Sequence, residues 1–111
     1  MPWLVRDGRV LASLEVADSR RARRQGLLGR DDLTGALLLP GVRSVHTVGM
    51  RFPIDVAYLD GEGRVLDLVR LRPWRVSRPR WRAEAALEAE AGSFDRWDLA
   101  LGDVLDVTAD G

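Results

Sequence analysis

The sequence predicts a mainly β fold, a small barrel or sandwich of about six to eight short strands with two short helices. Apolar and polar residues alternate along several segments, which is the period of a strand with one buried face. Glycine-containing turn signals separate these segments. The chain has 111 residues, the length of one domain. We therefore expect a single domain over residues 1–111.

Composition excludes several kinds of site. The chain has no Cys and one His, so a disulfide, a thiolate zinc site, a cysteine nucleophile and a multi-histidine zinc site within the chain are ruled out. Acidic pairs such as Asp60 with Glu62 are typical of turns, and we expect neither a metal site nor a cofactor. No apolar run approaches the ~20 residues that span a bilayer. The N-terminus lacks the basic and apolar segments of a secretory signal, so we expect a cytoplasmic protein without membrane contact.

The first half of the chain begins with a predicted hairpin over residues 3–16, turning at Asp7-Gly8. Asp18 or Ser19 is a suitable cap for a basic helix over residues 19–28, which Gly29 ends. Residues 36–39 form an apolar run before Pro40-Gly41, which indicates a buried strand. Residues 45–48 are a further strand candidate.

The second half begins with a strand over residues 54–59, a turn over 60–63 and a returning strand over 64–72. Residues 83–91 are rich in Ala and Glu, which favour helix, although neighbouring strand signals favour strand. The residues alone leave that choice open. We then expect Ser93 to cap a helical turn that reaches about residue 98, and a last strand over residues 104–107.

Arginine is concentrated in residues 70–82, where six arginines and two tryptophans occur without one acidic residue. Arginine contacts phosphates, and tryptophan stacks on unpaired bases. A formal net charge of zero and the absence of a known nucleic-acid signature make nucleic acid the less favoured interpretation. Residues 84–111 carry eight acidic residues against one arginine, and we expect these acids to neutralise the basic loop.

Four segments of the chain resemble four motifs of one known family, and they follow one another along the chain in the order that the family shows. They are residues 46–60 (HTVGMRFPIDVAYLD), 24–30 (RQGLLGR), 87–92 (LEAEAG) and 101–105 (LGDVL). Together they are similar to the signature of the family called domain of unknown function 192, over about residues 10–107. The resemblance implies a compact, barrel-like, mainly β domain in which residues 83–90 form a strand. It implies no activity. Gly49 stands where that family often has an aromatic residue, so any pocket here would be larger or differently shaped.

The segment from His46 to Asp55 carries the candidate site. An imidazole can act as a general base, with Ser44, Thr47 or Asp55 nearby in sequence, or it can fix a turn by hydrogen bonds. Asp55 follows Pro53 inside an apolar strand, so we expect it to be at least partly buried. A buried carboxylate needs a charged partner or several donors. The candidate partners of Asp55 are Arg51, Arg72 and His46.

We therefore expect a small ligand-binding domain with a polar pocket for an anionic or peptidic ligand. The candidate lining residues are His46, Thr47, Met50, Arg51, Asp55, Arg72 and Trp74. One alternative is a hydrolase with His46 as general base. The other is a nucleic-acid accessory protein that acts through residues 70–82. Neither catalytic residues nor a protein partner can be assigned from the sequence.

Overall fold

The computed structural model describes residues 2–17, 19–25 and 34–109. Seven strands and two short helices lie in this part of the chain, as the sequence predicts. In chain order they are β1 (Trp3–Arg6), β2 (Arg9–Val16), α1 (Arg20–Gln25), β3 (Ala36–Pro40), β4 (Ile54–Leu59), β5 (Val65–Leu71), β6 (Ala85–Glu90), α2 (Ser93–Arg96) and β7 (Asp106–Thr108). None of the helices described is long and apolar enough to cross a membrane.

The strands form one sheet in the order β5-β4-β6-β3-β2-β1-β7. Neighbouring strands are antiparallel except β2 and β3, which are parallel. The sheet does not close into a barrel. Its two ends are nevertheless linked, because Arg64 and Val104 form an isolated bridge and the Val65 N–H donates to the Asp103 carbonyl at 2.8 Å. The architecture is therefore barrel-like but open.

Strand β6 lies near the middle of the sheet, between β4 and β3. Ala86, Leu87, Glu88 and Ala89 are all buried, so both faces of the strand are covered. The alanines favour helix intrinsically, but backbone pairing on both sides and burial of both faces outweigh that weak preference. The strand that the family resemblance implied for residues 83–90 is confirmed over Ala85–Glu90.

Two apolar clusters cover the two faces of the sheet. Along β4, Ile54, Val56 and Tyr58 point into one cluster, and Ala57 and Leu59 point into the other, which follows from the two-residue period of a strand. The first cluster also contains Leu37, Leu39, Val45, Met50 and Leu71. The second also contains Leu4, Leu14, Leu87, Phe94 and Leu99.

Several local predictions are confirmed. The turn at Asp7 and Gly8 has φ values of 52° and 77°, as a two-residue hairpin requires. The Ser19 hydroxyl accepts a hydrogen bond from the Ala22 N–H at 3.0 Å, which is the predicted helix cap. Asp18 and Gly29 lie outside the described residues, as do residues 26–30 of the family motif over residues 24–30.

One local prediction is wrong, and two others give the right element with the wrong bounds or cap. Residues 45–48 form no strand, because only His46 makes a bridge, to Val76. The last strand begins at Asp106, since Val104 pairs with Arg64 at the other end of the sheet. Helix α2 covers only Ser93–Arg96, and its N-cap is Gly92, which provides no side-chain cap.

Candidate functional site

Thr47 joins two loops, residues 43–50 and 72–82, which we call the loop pair. The Thr47 N–H donates to the Arg75 carbonyl, and the Thr47 carbonyl accepts from Trp74 N–H, both at 2.8 Å. Its hydroxyl accepts from the Arg75 N–H at 2.9 Å and donates to the Arg72 carbonyl at 2.5 Å. The residue is completely buried, so its polar groups serve to hold the two loops together.

Further hydrogen bonds extend the contact along the loop pair. The Ser77 N–H donates to the Val45 carbonyl at 2.9 Å, and the Arg80 N–H donates to the Arg43 carbonyl at 2.8 Å. The Tyr58 hydroxyl donates to Ser77 Oγ at 2.8 Å, which anchors the loops to the core. The loop pair is therefore one connected surface, although none of the seven strands lies in it.

Two of the six arginines in residues 70–82 form ion pairs within the protein. Arg70 Nε lies 2.8 Å from Asp55 Oδ1, and the guanidinium also contacts Asp95 at 3.1 Å. Arg80 Nε lies 2.9 Å from Asp67 Oδ2, and its guanidinium carbon lies 4.8 Å from the centre of the Tyr58 ring. These two cations are neutralised and held in place.

The other four arginines, Arg72, Arg75, Arg78 and Arg82, are exposed. None of them forms an ion pair with any residue that the structure describes. Among the residues that the structure describes, the expected neutralisation by the acidic C-terminal segment therefore holds only for the contact of Arg70 with Asp95. Residues 41–54 and 70–83 contain no Asp or Glu, so the loop pair is strongly cationic.

Large apolar side chains are exposed on the same loops. The exposed fraction is 65% for Trp74, 71% for Val76 and 77% for Trp81. Trp74 also has a φ of 64°, a left-handed conformation that costs a bulky residue of order 1–3 kcal/mol. Neither the exposure nor the conformation stabilises the fold.

Asp55 belongs to a different part of the molecule. Its carboxylate is buried and accepts hydrogen bonds from Arg70 Nε at 2.8 Å, from Gly92 N–H at 3.0 Å and from Phe94 N–H at 3.2 Å. It thereby joins β4, β5 and the start of α2. The hydrogen bonds to Asp55 and Asp95, together with the charges of these carboxylates, raise the pKa of the Arg70 guanidinium above its usual value.

The predicted burial of Asp55 is confirmed, but the predicted partners are wrong. Arg70 is its charged partner because the antiparallel register of β4 and β5 places the two residues directly opposite each other. Backbone amides supply the remaining donors. Arg51, Arg72 and His46 are all exposed and make none of the hydrogen bonds to the Asp55 carboxylate.

The sheet separates the predicted site residues into two groups. Asp55 lies on the opposite face of β4 from Ile54, which packs in the same cluster as Met50. A cleft of about 240 Å³ next to Asp55 is lined by Leu68, Val69, Arg70, Phe94, Asp95 and Leu99, and by none of the other predicted site residues. His46, Thr47, Arg72 and Trp74 come together on the loop pair. Met50 is buried, and its N–H donates to the Thr47 carbonyl at 3.0 Å. Ligand binding by these residues stays a prediction.

The predicted site omits residues that the structure makes prominent. Trp81 and three of the unneutralised arginines (Arg75, Arg78 and Arg82) are absent from it, although their interleaving is visible in the sequence. The described residues contain no cluster of three or more potential metal-ligating side chains. The chemistry that the loop pair offers is therefore that of cations and aromatic rings.

Comparison with known proteins gives several related chains. A UPF0127 protein of Thermococcus sibiricus is 33% identical over 99 residues, which cover 84% of this chain and 64% of that protein. A UPF0127 protein of Pyrococcus horikoshii is 41% identical over 60 residues, which cover 54% of this chain and 52% of that protein. The chain thus spans less than two thirds of the length of these relatives.

Two solved structures share the fold. One is a Sinorhizobium meliloti protein, for which a role as a transcription regulator has been suggested; its TM-score is 0.79 at 22% identity, over 96% of this chain and 91% of that one. The other is a Novosphingobium aromaticivorans protein of unknown function, with a TM-score of 0.78 at 18% identity, over 95% of this chain and 82% of that one. The model of the DUF192 family, described as an uncharacterised ACR, matches residues 3–107. Because this match covers nearly the whole chain, the protein belongs to the DUF192 family.

Proposed function

We propose that this chain is a nucleic-acid-binding module that acts through the loop pair. One observation carries the proposal: four exposed arginines have no carboxylate partner among the described residues, and they lie on the same acid-free loops as two exposed tryptophans. A planar guanidinium donates to phosphate oxygens through two N–H groups at once. The module would act in the cytoplasm, as the sequence predicts.

The zero net charge does not oppose this proposal, because the charges are segregated. Exposed charges act over a Debye length of about 8 Å at physiological salt. The local charge of the loop pair is therefore what an approaching phosphate encounters. Residues 84–111 hold eight of the seventeen acidic residues, and among the described residues their contact with the basic loop is that of Asp95 with Arg70.

The fold of the Sinorhizobium meliloti protein is compatible with the proposal. A transcription regulator acts on nucleic acid or on proteins bound to it, and this chain resembles that protein over 96% of its length. An identity of 22% carries the fold only. The local chemistry of the loop pair therefore remains the main argument.

The two other candidate functions have less support. The predicted pocket would have to combine His46 with Asp55, which the sheet separates. A hydrolase would need a base that is held in position by a partner. His46 is exposed, and its side chain makes no hydrogen bond to any residue in the described part of the chain.

Binding and its salt dependence test the proposal. Fluorescence anisotropy is measured with labelled DNA and RNA strands of about 16 nucleotides. Neutralising four phosphates on a single strand predicts that affinity falls roughly 50-fold between about 50 mM and about 200 mM salt. Replacing Arg75 and Arg78 together by Gln should weaken binding and lower the slope of log K against log salt by about 1.4.

Arg9→Gln is the matched control, because Arg9 is exposed on the β1–β2 hairpin and forms no ion pair among the described residues. It removes a positive charge outside the loop pair and should leave the salt slope nearly unchanged. Absence of binding at low salt would contradict the proposal. Equal losses per arginine at Arg9 and on the loop pair would show that binding is not located there.

A further inference from the structure

We infer that the nucleic acid bound by the loop pair is single-stranded and that its bases stack on Trp74 and Trp81. This inference rests on the proposed function and adds a substrate class to it. Arginines alone account for attraction to any polyanion. The two exposed indoles add stacking surfaces for a partner that presents flat, unpaired aromatic faces.

Trp74 is held in an unfavourable state for a tryptophan. Its φ of 64° suits Gly or Asn, yet the chain places its largest side chain there and leaves 65% of it exposed. The Trp74 N–H donates to the buried Thr47 carbonyl at 2.8 Å. The backbone at this position is thereby fixed while the ring remains accessible, as a preorganised stacking surface requires.

Trp81 is anchored in a similar way. The residue before it, Arg80, donates its N–H to the Arg43 carbonyl and accepts a hydrogen bond from the Ala83 N–H at 2.9 Å. The Arg80 guanidinium is fixed by Asp67, and Ala83 is fully buried. The chain on both sides of Trp81 is therefore tied to the fold, although 77% of Trp81 itself is exposed.

The arrangement along the loops matches a single strand better than a duplex. Trp74 and Trp81 lie towards opposite ends of the stretch of hydrogen bonds between the loops. They are seven positions apart in the sequence, so at most about 25 Å separates their Cα atoms. Exposed His46 and Val76 lie opposite each other within this stretch. The bases of a duplex present only their edges in the grooves, whereas an unpaired strand alternates stackable bases with phosphates.

Exposed tryptophan beside arginine is also found at membrane surfaces. Here arginines adjoin both indoles: Trp81 lies between Arg80 and Arg82, and Trp74 precedes Arg75. Arginines and indoles thus alternate along the chain, as alternating phosphates and bases would require. The observation favours a nucleic-acid strand, and anionic vesicles serve as a separate arm of the test.

The test compares a single strand, a duplex of the same sequence, heparin and phosphatidylserine vesicles against three variants. Trp74→Asn and Trp81→Gln should each weaken single-strand binding roughly tenfold or more, while heparin binding is unchanged. Trp74→Asn should leave the melting temperature equal or higher, because Asn tolerates positive φ, so loss of binding cannot be ascribed to unfolding. Leu101→Asn, at a residue that is 64% exposed outside the loop pair, is the control and should not change binding.

The outcomes separate this inference from the proposed function. Equal affinity for strand and duplex, with no effect of the tryptophan variants, would overturn base stacking and leave the proposed function standing. If no nucleic acid binds at low salt, the proposed function and this inference both fail. Vesicle binding that depends on the tryptophans, without binding of the single strand, would overturn both in favour of a membrane surface.

Discussion

Thr47 shows how one residue can position a whole surface. Its hydroxyl and backbone connect residues 43–50 with residues 72–82. Thr47→Val keeps the shape but leaves the Arg75 N–H and the Arg72 carbonyl without this partner, so we expect the free energy of unfolding to fall by about 1–3 kcal/mol. Urea denaturation measures the loss. Ser44→Ala removes one hydrogen bond between the same loops, from the hydroxyl of the exposed residue Ser44 to the Ser77 carbonyl at 2.7 Å. It should cost less than Thr47→Val, which removes two hydrogen bonds of a fully buried hydroxyl; equal costs would contradict this role of Thr47.

Asp55 has a comparable role on the other face of the sheet. Asp55→Ala leaves the Gly92 and Phe94 amides without their acceptor and should lower stability by about 2–3 kcal/mol. Asp95→Ala removes the other carboxylate that contacts Arg70, one that is 83% exposed, and should cost at most about 1 kcal/mol. Chemical denaturation of both variants tests this difference. A destabilisation of similar size in the two variants would mean that Asp55 does not hold β4, β5 and α2 together.

At the scale of elements, the hairpin of β4 and β5 is closed by Asp60. Its Oδ1 accepts hydrogen bonds from the N–H groups of Glu62 and Arg64, both at 2.9 Å. The hydrogen bond from the Arg64 amide is the main cause that lowers the pKa of Asp60 below 3.8. A lowered pKa in the folded state means that the stabilisation is complete above the unfolded-state pKa and is lost as the pH falls through the folded-state value.

Asp60→Asn should therefore lose less stability on acidification than the parent chain, because the amide oxygen accepts the same hydrogen bonds at every pH. Urea midpoints at about pH 5 and about pH 2 measure the difference. A parallel decline in both proteins would show that Asp60 does not contribute to acid sensitivity.

Strands can be predicted from the sequence where one local signal dominates. Alternation and turn residues locate β1, β2, β4 and β5, whereas β6 combines helix-favouring alanines with a central place in the sheet. Residues 45–48 look like a strand because three of the four are β-branched, but they pair with a loop rather than with the sheet. Such outcomes depend on tertiary pairing, which local patterns do not contain.

For the candidate site, the sequence reveals the composition but not the partners. The cluster of arginine and tryptophan in residues 70–82 is visible directly. Which arginines are neutralised depends on strand register, which places Asp55 opposite Arg70, and on the fold, which brings Asp67 to Arg80. The separation of His46 from Asp55 likewise requires knowing which way each strand residue points.

At the scale of the whole molecule, charge is distributed unevenly over a neutral chain. Residues 1–83 hold sixteen arginines against nine acidic residues, and residues 84–111 hold one against eight. The acid-free loops lie over the cluster that contains Val45 and Met50, on one face of the sheet, whereas Asp55 and α2 belong to the other face. We therefore expect a polyanion to contact one side of the molecule.

The most direct test is an amide chemical-shift titration of the isotope-labelled protein with a short single-stranded oligonucleotide at low salt. The proposed function predicts that shifts concentrate in residues 43–50 and 72–82 and in the indole N–H signals of Trp74 and Trp81. The indole signals of Trp3 and Trp97 should remain unchanged. Shifts centred on Gly92–Phe94, or no shifts when oligonucleotide is in excess, would contradict the assignment of the loop pair as the binding surface.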